Sequence, residues 1–359
     1  MIQVRVAAQG VDVEFHADPG ITALFGGAGA GKTAILDAIA GFATPTSGRI
    51  ILDDRILFDA ASQVNLPPRR RHCGYVARHW ALFPHMSLQD NLLFPLAGLA
   101  GVARRERHRR VRETLNRFEL QEAGPRHPHE VSPAERLRAT VARALIGDPK
   151  MLLVDEPAAG LDMALRAEWH KVLRMVRDDT NLPVLLATRD LDTCFELAAS
   201  MLLLDAGRIL QSGRPRNVVD QPVSVEAARL LGIRNLFSAE IVALDPGRNT
   251  SRLRLENFEL NGPYLPGRLR GDRVWLCIEP GQLHAAPQDG SKPSANQVAA
   301  RLERTSEMAL AVRLEFAGGI VAEIARHDFE QLPKDQKDND NKEWLVEFPP
   351  QALRVLGCP

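Results

Sequence analysis

The chain has 359 residues, room for two or three domains that each bury a core of their own. Lys and Arg number 45, as do Asp and Glu, so the formal net charge is zero, which argues against a general nucleic-acid binder with its basic surplus. No uninterrupted apolar run approaches the roughly 18 residues of a membrane span. The four cysteines (Cys73, Cys194, Cys277, Cys358) form no C-x-x-C pair, so reduced thiols in a cytosol are expected rather than a disulfide framework or a zinc site.

The first residues, Met1-Ile-Gln-Val-Arg-Val, alternate like a strand and lack the apolar core of a signal peptide. Up to about residue 230, short apolar strands alternate with longer helical stretches, which predicts an α/β domain with a mainly parallel sheet. Ile21–Phe25, Met151–Val154, Val184–Ala187 and Met201–Leu204 are apolar on both faces, as buried parallel strands should be. Residues 86 to 146 read as helices. Within them Val102–Leu120 contains Arg104, Arg105, Arg107, Arg109 and Arg110, yet Val111, Leu115 and Phe118 keep a helical apolar stripe. With a neutral total charge, the arginines read as a solvated helix face. After residue 232 short alternating strands between Gly, Pro and Asn turns predict an all-β region. Trp275-Leu276 and Trp344-Leu345 are each followed at the same offsets by Pro and Gln (Pro280 and Gln282, Pro349 and Gln351), a weak internal repeat that fits two similar small barrels. Lys334–Lys342 is a polar, charged loop.

Chemistry concentrates at Gly26-Gly27-Ala28-Gly29-Ala30-Gly31-Lys32-Thr33, which fits G-x-x-x-x-G-K-[ST] directly after a strand and at the opening of a helix. The glycines let the backbone curl so that successive N–H groups face phosphate oxygens, and the helix adds its positive end. Lys32 is expected to reach the β- and γ-phosphates of ATP, and the Thr33 hydroxyl to ligate Mg²⁺. A glycine-rich turn without a ligand is the plain alternative, but Lys-Thr at that offset serves no packing purpose. The strand Met151–Val154 ends in Asp155-Glu156-Pro157. Ligands bind at the carboxyl ends of such strands, so Asp155 is expected to hold Mg²⁺ through water and Glu156 to polarise a water for attack on the γ-phosphate.

The order of P-loop, helical insert, Val131-Ser132-Pro133-Ala134-Glu135, Ala142-Arg143-Ala144-Leu145, Asp155-Glu156-Pro157 and Gly160-Leu161-Asp162 resembles the ATPase subunits of ATP-binding-cassette transporters. Within that family, Gly20-Ile-Thr-Ala-Leu-Phe-Gly26, Gly74-Tyr75-Val76, Leu82-Phe83-Pro84-His85 and the β-rich tail are most similar to the molybdate-importer ATPases, although sulfate, iron and polyamine importers share the architecture. The resemblance implies an α/β P-loop cassette over residues 1–231, with its helical subdomain at about 86–146. Two β lobes follow, 232–292 and 293–359, built as small oligosaccharide-binding-fold-like barrels that can bind the oxyanion or regulate transport. It implies a homodimer or a sister ATPase as partner, a transmembrane permease, a periplasmic binding protein acting indirectly, and a peripheral position on the cytoplasmic face of the inner membrane. It also implies that Ser132, Pro133, Ala134 and Glu135 cover the γ-phosphate bound by the other subunit and that Asp162 lies across the dimer interface, although Asp162 also reads as an ordinary N-cap.

Three positions depart from the family. Its Leu-Ser-Gly-Gly signature reads Val131-Ser132-Pro133-Ala134 here, so Pro133 removes an N–H and Ala134 adds a Cβ where backbone and phosphate should meet. Ser132 with Glu135 still makes a capping box, so a good helix start is expected beside a poorer phosphate clamp. The glutamine that senses Mg²⁺ falls at Arg78, which is donor-only. The switch histidine falls at Arg189, which keeps a charge and loses a tunable imidazole. Nucleotide binding is therefore expected. Hydrolysis is expected either at a weakened rate or restored by compensating contacts. A nucleotide-gated regulatory module whose β tail senses a small anion is the second reading. Another P-loop enzyme such as a kinase would leave Val131–Glu135 and Gly160–Asp162 without a purpose. The tail shows no ligand constellation; Ser238 and Ser306, expected near strand starts, are weak candidates for anion contacts.

Overall fold

The computed structural model describes residues 1–8, 10–98, 101–156, 160–256, 258–288, 293–332 and 343–356. Pro157, the Lys334–Lys342 loop and Cys358 therefore lie outside the described residues. The chain divides into two compact units, Met1–Val218 and Val219–Pro359.

The first unit opens with β1 (Ile2–Ala8) and β2 (Val11–Ala17), whose strict alternation buries Ile2, Val4 and Val6 on one face and exposes Gln3 and Arg5 on the other. β3 (Gly20–Phe25) follows and leads through the glycine-rich turn into α1 (Lys32–Ala40). β4 (Ser47–Leu52), β5 (Arg55–Asp59) and β6 (Val64–Asn65) join the first pair in an antiparallel sheet of order β2-β1-β4-β5-β6. β7 (Cys73–Val76) precedes three helices, α2 (Leu88–Ala97), α3 (Arg104–Arg117) and α4 (Pro133–Leu145). Next come β8 (Met151–Asp155), α5 (Met163–Asp179), β9 (Pro183–Thr188), α6 (Leu191–Leu197), β10 (Ser200–Asp205) and β11 (Arg208–Gly213). The second sheet has the order β11-β10-β3-β9-β8-β7 and is parallel except for β11.

The four apolar runs singled out in the sequence are β3, β8, β9 and β10, each one residue longer at one or both ends. Their both-sided hydrophobicity has a direct cause. Met151 and Leu153 of β8 face the core shared with α1 and the antiparallel sheet, while Leu152 and Val154 face the core shared with α4 and α5. α3 buries Val111 and Leu115 and exposes Arg104, Arg105 and Arg109; Arg109 pairs with Glu106 and Glu113, and the half-buried Arg110 with Glu106 and Asp148. The architecture is the α/β cassette expected, and no helix among the described residues is long and apolar enough to cross a membrane.

α7 (Pro215–Asp220) carries the chain over the division, which falls ahead of the composition change at residue 232. The reason is packing: α8 (Val225–Leu230) buries Val225 and Ala228 with Ile233 against Cys277 and Leu356 of the β region. The second unit continues with β12 (Asn235–Asp245), β13 (Thr250–Arg254), β14 (Glu259–Pro263), β15 (Arg273–Ile278) and β16 (His284–Pro287). After these come β17 (Gln297–Glu307), β18 (Ala311–Phe316), β19 (Ile320–Ala325), α9 (Arg326–Gln331), β20 (Glu343–Glu347) and β21 (Arg354–Leu356). They form two five-stranded antiparallel sheets, β14-β13-β12-β15-β21 and β16-β20-β17-β18-β19, around one core.

The two sheets do not follow a division at residue 292. β16 precedes that point yet pairs with β20, and β21 closes the sheet begun by β12. The internal repeat is real in topology but shifted by one residue. Val274, Leu276, Ile278 and Leu283 are buried like Trp344, Val346, Phe348 and Leu353, whereas Trp275 is half-buried and matches Leu345. Aligning the two tryptophans joins residues on opposite faces, because side chains alternate along a strand. Two asparagines mark the pseudo-symmetry. Asn235 Nδ2 donates to Val321 O (2.8 Å) and its Oδ1 accepts from Val321 N (2.7 Å) in β19. Asn296 makes the reciprocal pair with Asn261 of β14 (2.8 and 2.7 Å) and also donates to Phe348 O (2.8 Å). Ser238 is the fourth residue of β12, and Ser306 lies near the end of β17 rather than near its start.

Candidate nucleotide-binding site

Four parallel strands end side by side, and each delivers chemistry from its carboxyl end. β3 runs into Gly26–Gly31. Gly29 and Gly31 sit at φ 76° and 96°, in the left-handed region that glycine tolerates. Gly26 has another reason for lacking a side chain, since a Cβ there would stand 2.4 Å from Leu204 O at the end of β10.

Lys32, only 4% exposed, opens α1. Its Nζ donates to Gly26 O (2.7 Å) and Gly27 O (2.8 Å) and lies 2.9 Å from Glu156 Oε1, so all three ammonium protons are engaged. Burial, then the nearby Arg189 charge, pushes its pKa down from 10.5 to about 8; Asp155 opposes this and Arg78 adds to it. Thr33 Oγ1 lies 3.0 and 3.1 Å from the two carboxylate oxygens of Asp155, the last residue of β8.

Glu156 follows immediately, with φ at 41°, an unusual conformation for a non-glycine residue that costs of order 1–3 kcal/mol. Its N–H is held by Ala187 O at 3.0 Å, which fixes the turn against β9. Its side chain, 5% exposed, meets three cations. Lys32 and Arg189 Nε (3.0 Å) both reach Oε1, and Arg78 Nη2 donates to Oε2. Arg78 comes from the loop after β7 and Arg189 from the end of β9, so two positions far apart in sequence converge on one carboxylate. A cavity of about 550 Å³ opens beside them, lined by Arg78, His79, Glu156, Arg166, Trp169 and Arg189.

Behind Arg189, α6 is tied to α5. Asp190 Oδ2 accepts from Thr193 Oγ1 (2.5 Å), Thr193 Oγ1 meets His170 Nε2 (3.0 Å), and His170 Nδ1 meets Glu196 Oε2 (2.6 Å). No sequence motif marks His170 or Thr193. The available signal was a histidine inside the apolar stripe Trp169, Val172, Leu173 and Val176, which needs a buried polar partner.

The other expected site residues are at helix starts. Ser132 Oγ accepts from Glu135 N (3.2 Å) and Glu135 Oε2 from Ser132 N (2.8 Å), a complete capping box with Pro133 at the first position of α4. The Ser132 hydroxyl also donates to Glu135 Oε2 (2.7 Å), and this bond, then that from Ser132 N–H, lowers the pKa of the Glu135 carboxyl. Asp162 caps α5 by accepting from Leu165 N (2.8 Å). Their hydrogen bonds stay within their own helix starts, apart from the cluster around Glu156.

Chemically, the cluster offers a curled backbone and an ammonium for phosphate oxygens, and one hydroxyl with one carboxylate for a hard cation. No group of three or more His, Cys, Asp or Glu gathers among the described residues. The donor set fits Mg²⁺, which takes one or two protein oxygens and leaves the rest to phosphates and water.

Residues 9–159 match the family model described as ABC transporter. The chain is similar to the molybdenum import ATP-binding protein of Paramagnetospirillum magneticum, at 33% identity over 278 residues covering 75% of this chain and 76% of that protein. It is also similar to the Fe(3+) ions import ATP-binding protein of Yersinia pseudotuberculosis, at 30% identity over 310 residues and 86% and 82% coverage. Among solved structures, a dimeric bacterial ABC transporter cassette superposes on 60% of this chain and 99% of its own with a TM-score of 0.51 at 21% identity, a likeness of fold.

Proposed function

The chain belongs to the ABC transporter family, as an ATP-binding subunit of an importer, and from that premise we propose that it couples ATP binding and hydrolysis to uptake of a small oxyanion, molybdate, through a separate membrane permease. The observation that carries the reading is the convergence of Lys32, Thr33, Asp155 and Glu156 at the carboxyl ends of β3 and β8.

Backbone N–H groups of Gly26–Thr33 bind the phosphates, and Lys32 exchanges Glu156 for a phosphate oxygen. Thr33 and Asp155 would hold Mg²⁺, which would supply neutralisation of phosphate charge. Glu156 takes a proton from water as the water oxygen bonds to the γ-phosphorus and the bond to the ADP oxygen breaks. Two copies, or this chain and a sister ATPase, close head to tail, so that Ser132–Glu135 of one face the nucleotide of the other and Asp162 lies at the interface. That closure drives the permease between inward- and outward-facing states, with the subunit peripheral on the cytoplasmic face of the membrane and a periplasmic binding protein supplying the ion.

Similarity to the molybdenum import protein and a β unit of two small sheets support molybdate; similarity to the iron import protein supports a different cargo. Deletion of this chain should abolish high-affinity molybdate uptake. Molybdate uptake that persists, with ferric ion or polyamine uptake lost instead, would reassign the cargo. A second reading, a nucleotide-gated subunit with little turnover, is favoured by Arg78, Arg189, Pro133 and Ala134. Steady-state hydrolysis of about 1 s⁻¹ or more that disappears in Glu156→Gln would exclude it.

A further inference from the structure

We infer that Arg78 and Arg189 are positioning residues that occupy acceptor sites of Glu156 which a water would otherwise take, and so limit the turnover of the nucleotide site rather than its affinity for ATP. The inference rests on the nucleotide reading above and concerns how this chain's own arginines act through Glu156.

The geometry is a matter of lone pairs. A carboxylate offers about four acceptor sites, two on each oxygen. On Glu156, Oε1 already accepts from Lys32 (2.9 Å) and Arg189 Nε (3.0 Å), and Oε2 accepts from Arg78 Nη2. One site on Oε2 is left for a water. Lys32 can leave, because a phosphate oxygen is a better partner for an ammonium that is also anchored to Gly26 O and Gly27 O. The guanidiniums are different. A guanidinium presents a planar fork of donors that suits a carboxylate.

Their exposure gives the same picture. The Glu156 side chain is 5% exposed and Arg78 and Arg189 are 40% and 48% exposed, and all three line the same cavity. Asp190, next to Arg189, is fixed through Thr193 and His170, which holds the backbone that carries Arg189 in place. A base that must receive a proton from water thus shares its carboxylate with two arginines.

The test is the double variant Arg78→Gln/Arg189→His, measured for ATP binding with a fluorescent ATP analogue and for steady-state hydrolysis. The expected result is a rise in kcat of about ten-fold or more, within the range that a general base contributes, with KM for ATP changed by less than about three-fold. Arg189→Lys, which keeps the charge, should stay near the original rate, and adding Glu156→Gln to the double variant should cancel the rise. If the double variant does not fold, Arg189→His alone should still raise kcat, since it frees one site on Oε1. An unchanged or lower kcat with ATP binding intact would overturn the inference and make the arginines stabilisers of the transition state or bystanders. Failure of the unaltered chain to bind the ATP analogue would overturn this inference together with the nucleotide reading.

Discussion

At Lys32 a single ammonium links packing to pH. Burial and the Arg189 charge bring its pKa down from 10.5 to about 8. A bound triphosphate favours the ammonium, so wherever the free site is neutral, binding must take up a proton. ATP affinity should therefore be flat below about pH 8 and fall above it by up to about ten-fold per pH unit, until the pKa of the bound form is reached. Stability without nucleotide should move the other way. The unfolded lysine keeps its proton up to 10.5, so folding releases one between about 8 and 10.5, and stability gains as pH rises through that window. Titration of a fluorescent ATP analogue at several pH values checks the first statement; affinity unchanged between about pH 7 and 9 would refute it. Lys32→Arg, which stays charged throughout, should bind ATP with no such pH dependence. The lysine, the threonine and the two carboxylates were legible in the sequence because the spacing of a P-loop carries its own mechanism. The cluster on Glu156 was not. Arg78, Glu156 and Arg189 are brought together only by the strand order β9-β8-β7, and no local pattern says that two arginines share one acceptor.

At the start of α4 the helix and the phosphate clamp make opposite demands. Ser132 and Glu135 satisfy each other's backbone N–H groups, and Pro133 gives up an N–H that no helix bond would have used. Ser132→Ala should lower the stability of the first unit by about 1 kcal/mol, seen as a smaller urea midpoint with the slope unchanged. Pro133→Gly/Ala134→Gly should weaken the helix start by a similar amount, since glycine is a poor helix residue. In return, in the proposed head-to-tail dimer, it restores a donor and removes a Cβ beside the partner's nucleotide, so ATP-dependent dimerisation of the Glu156→Gln chain, followed by light scattering, should strengthen. Weaker dimerisation would mean that Pro133 and Ala134 already fit their role. The cap was readable from Ser132-x-x-Glu135 because capping is local chemistry. The buried strands were readable for a related reason: each serves two cores at once, so no polar residue can interrupt β8 or β9.

Across the whole chain, the β unit shows what a one-dimensional reading loses. Matching letters aligned Trp275 with Trp344, yet burial pairs Val274 with Trp344, and β16 and β21 each complete the sheet of the other half. Interleaving of this kind leaves no local trace, because each strand alternates in the same way whichever sheet receives it. Its energetic signature lies in Asn235 and Asn296, 0% and 6% exposed, each reading two backbone groups of the opposite half. Replacing either by Ala leaves buried backbone groups without partners, at about 1–3 kcal/mol for each unsatisfied group. Asn296 also serves Phe348 O, so Asn296→Ala should cost more than Asn235→Ala. Hydrogen exchange then separates the two in space. Asn296→Ala should strip protection from the Asn261 amide in β14, Asn235→Ala from the Val321 amide in β19, and peptides spanning Gly26–Thr33 in the first unit should exchange as before. Loss of protection at the wrong strand would break the pseudo-symmetric pairing. Equal loss in the P-loop would show that the two units do not open independently.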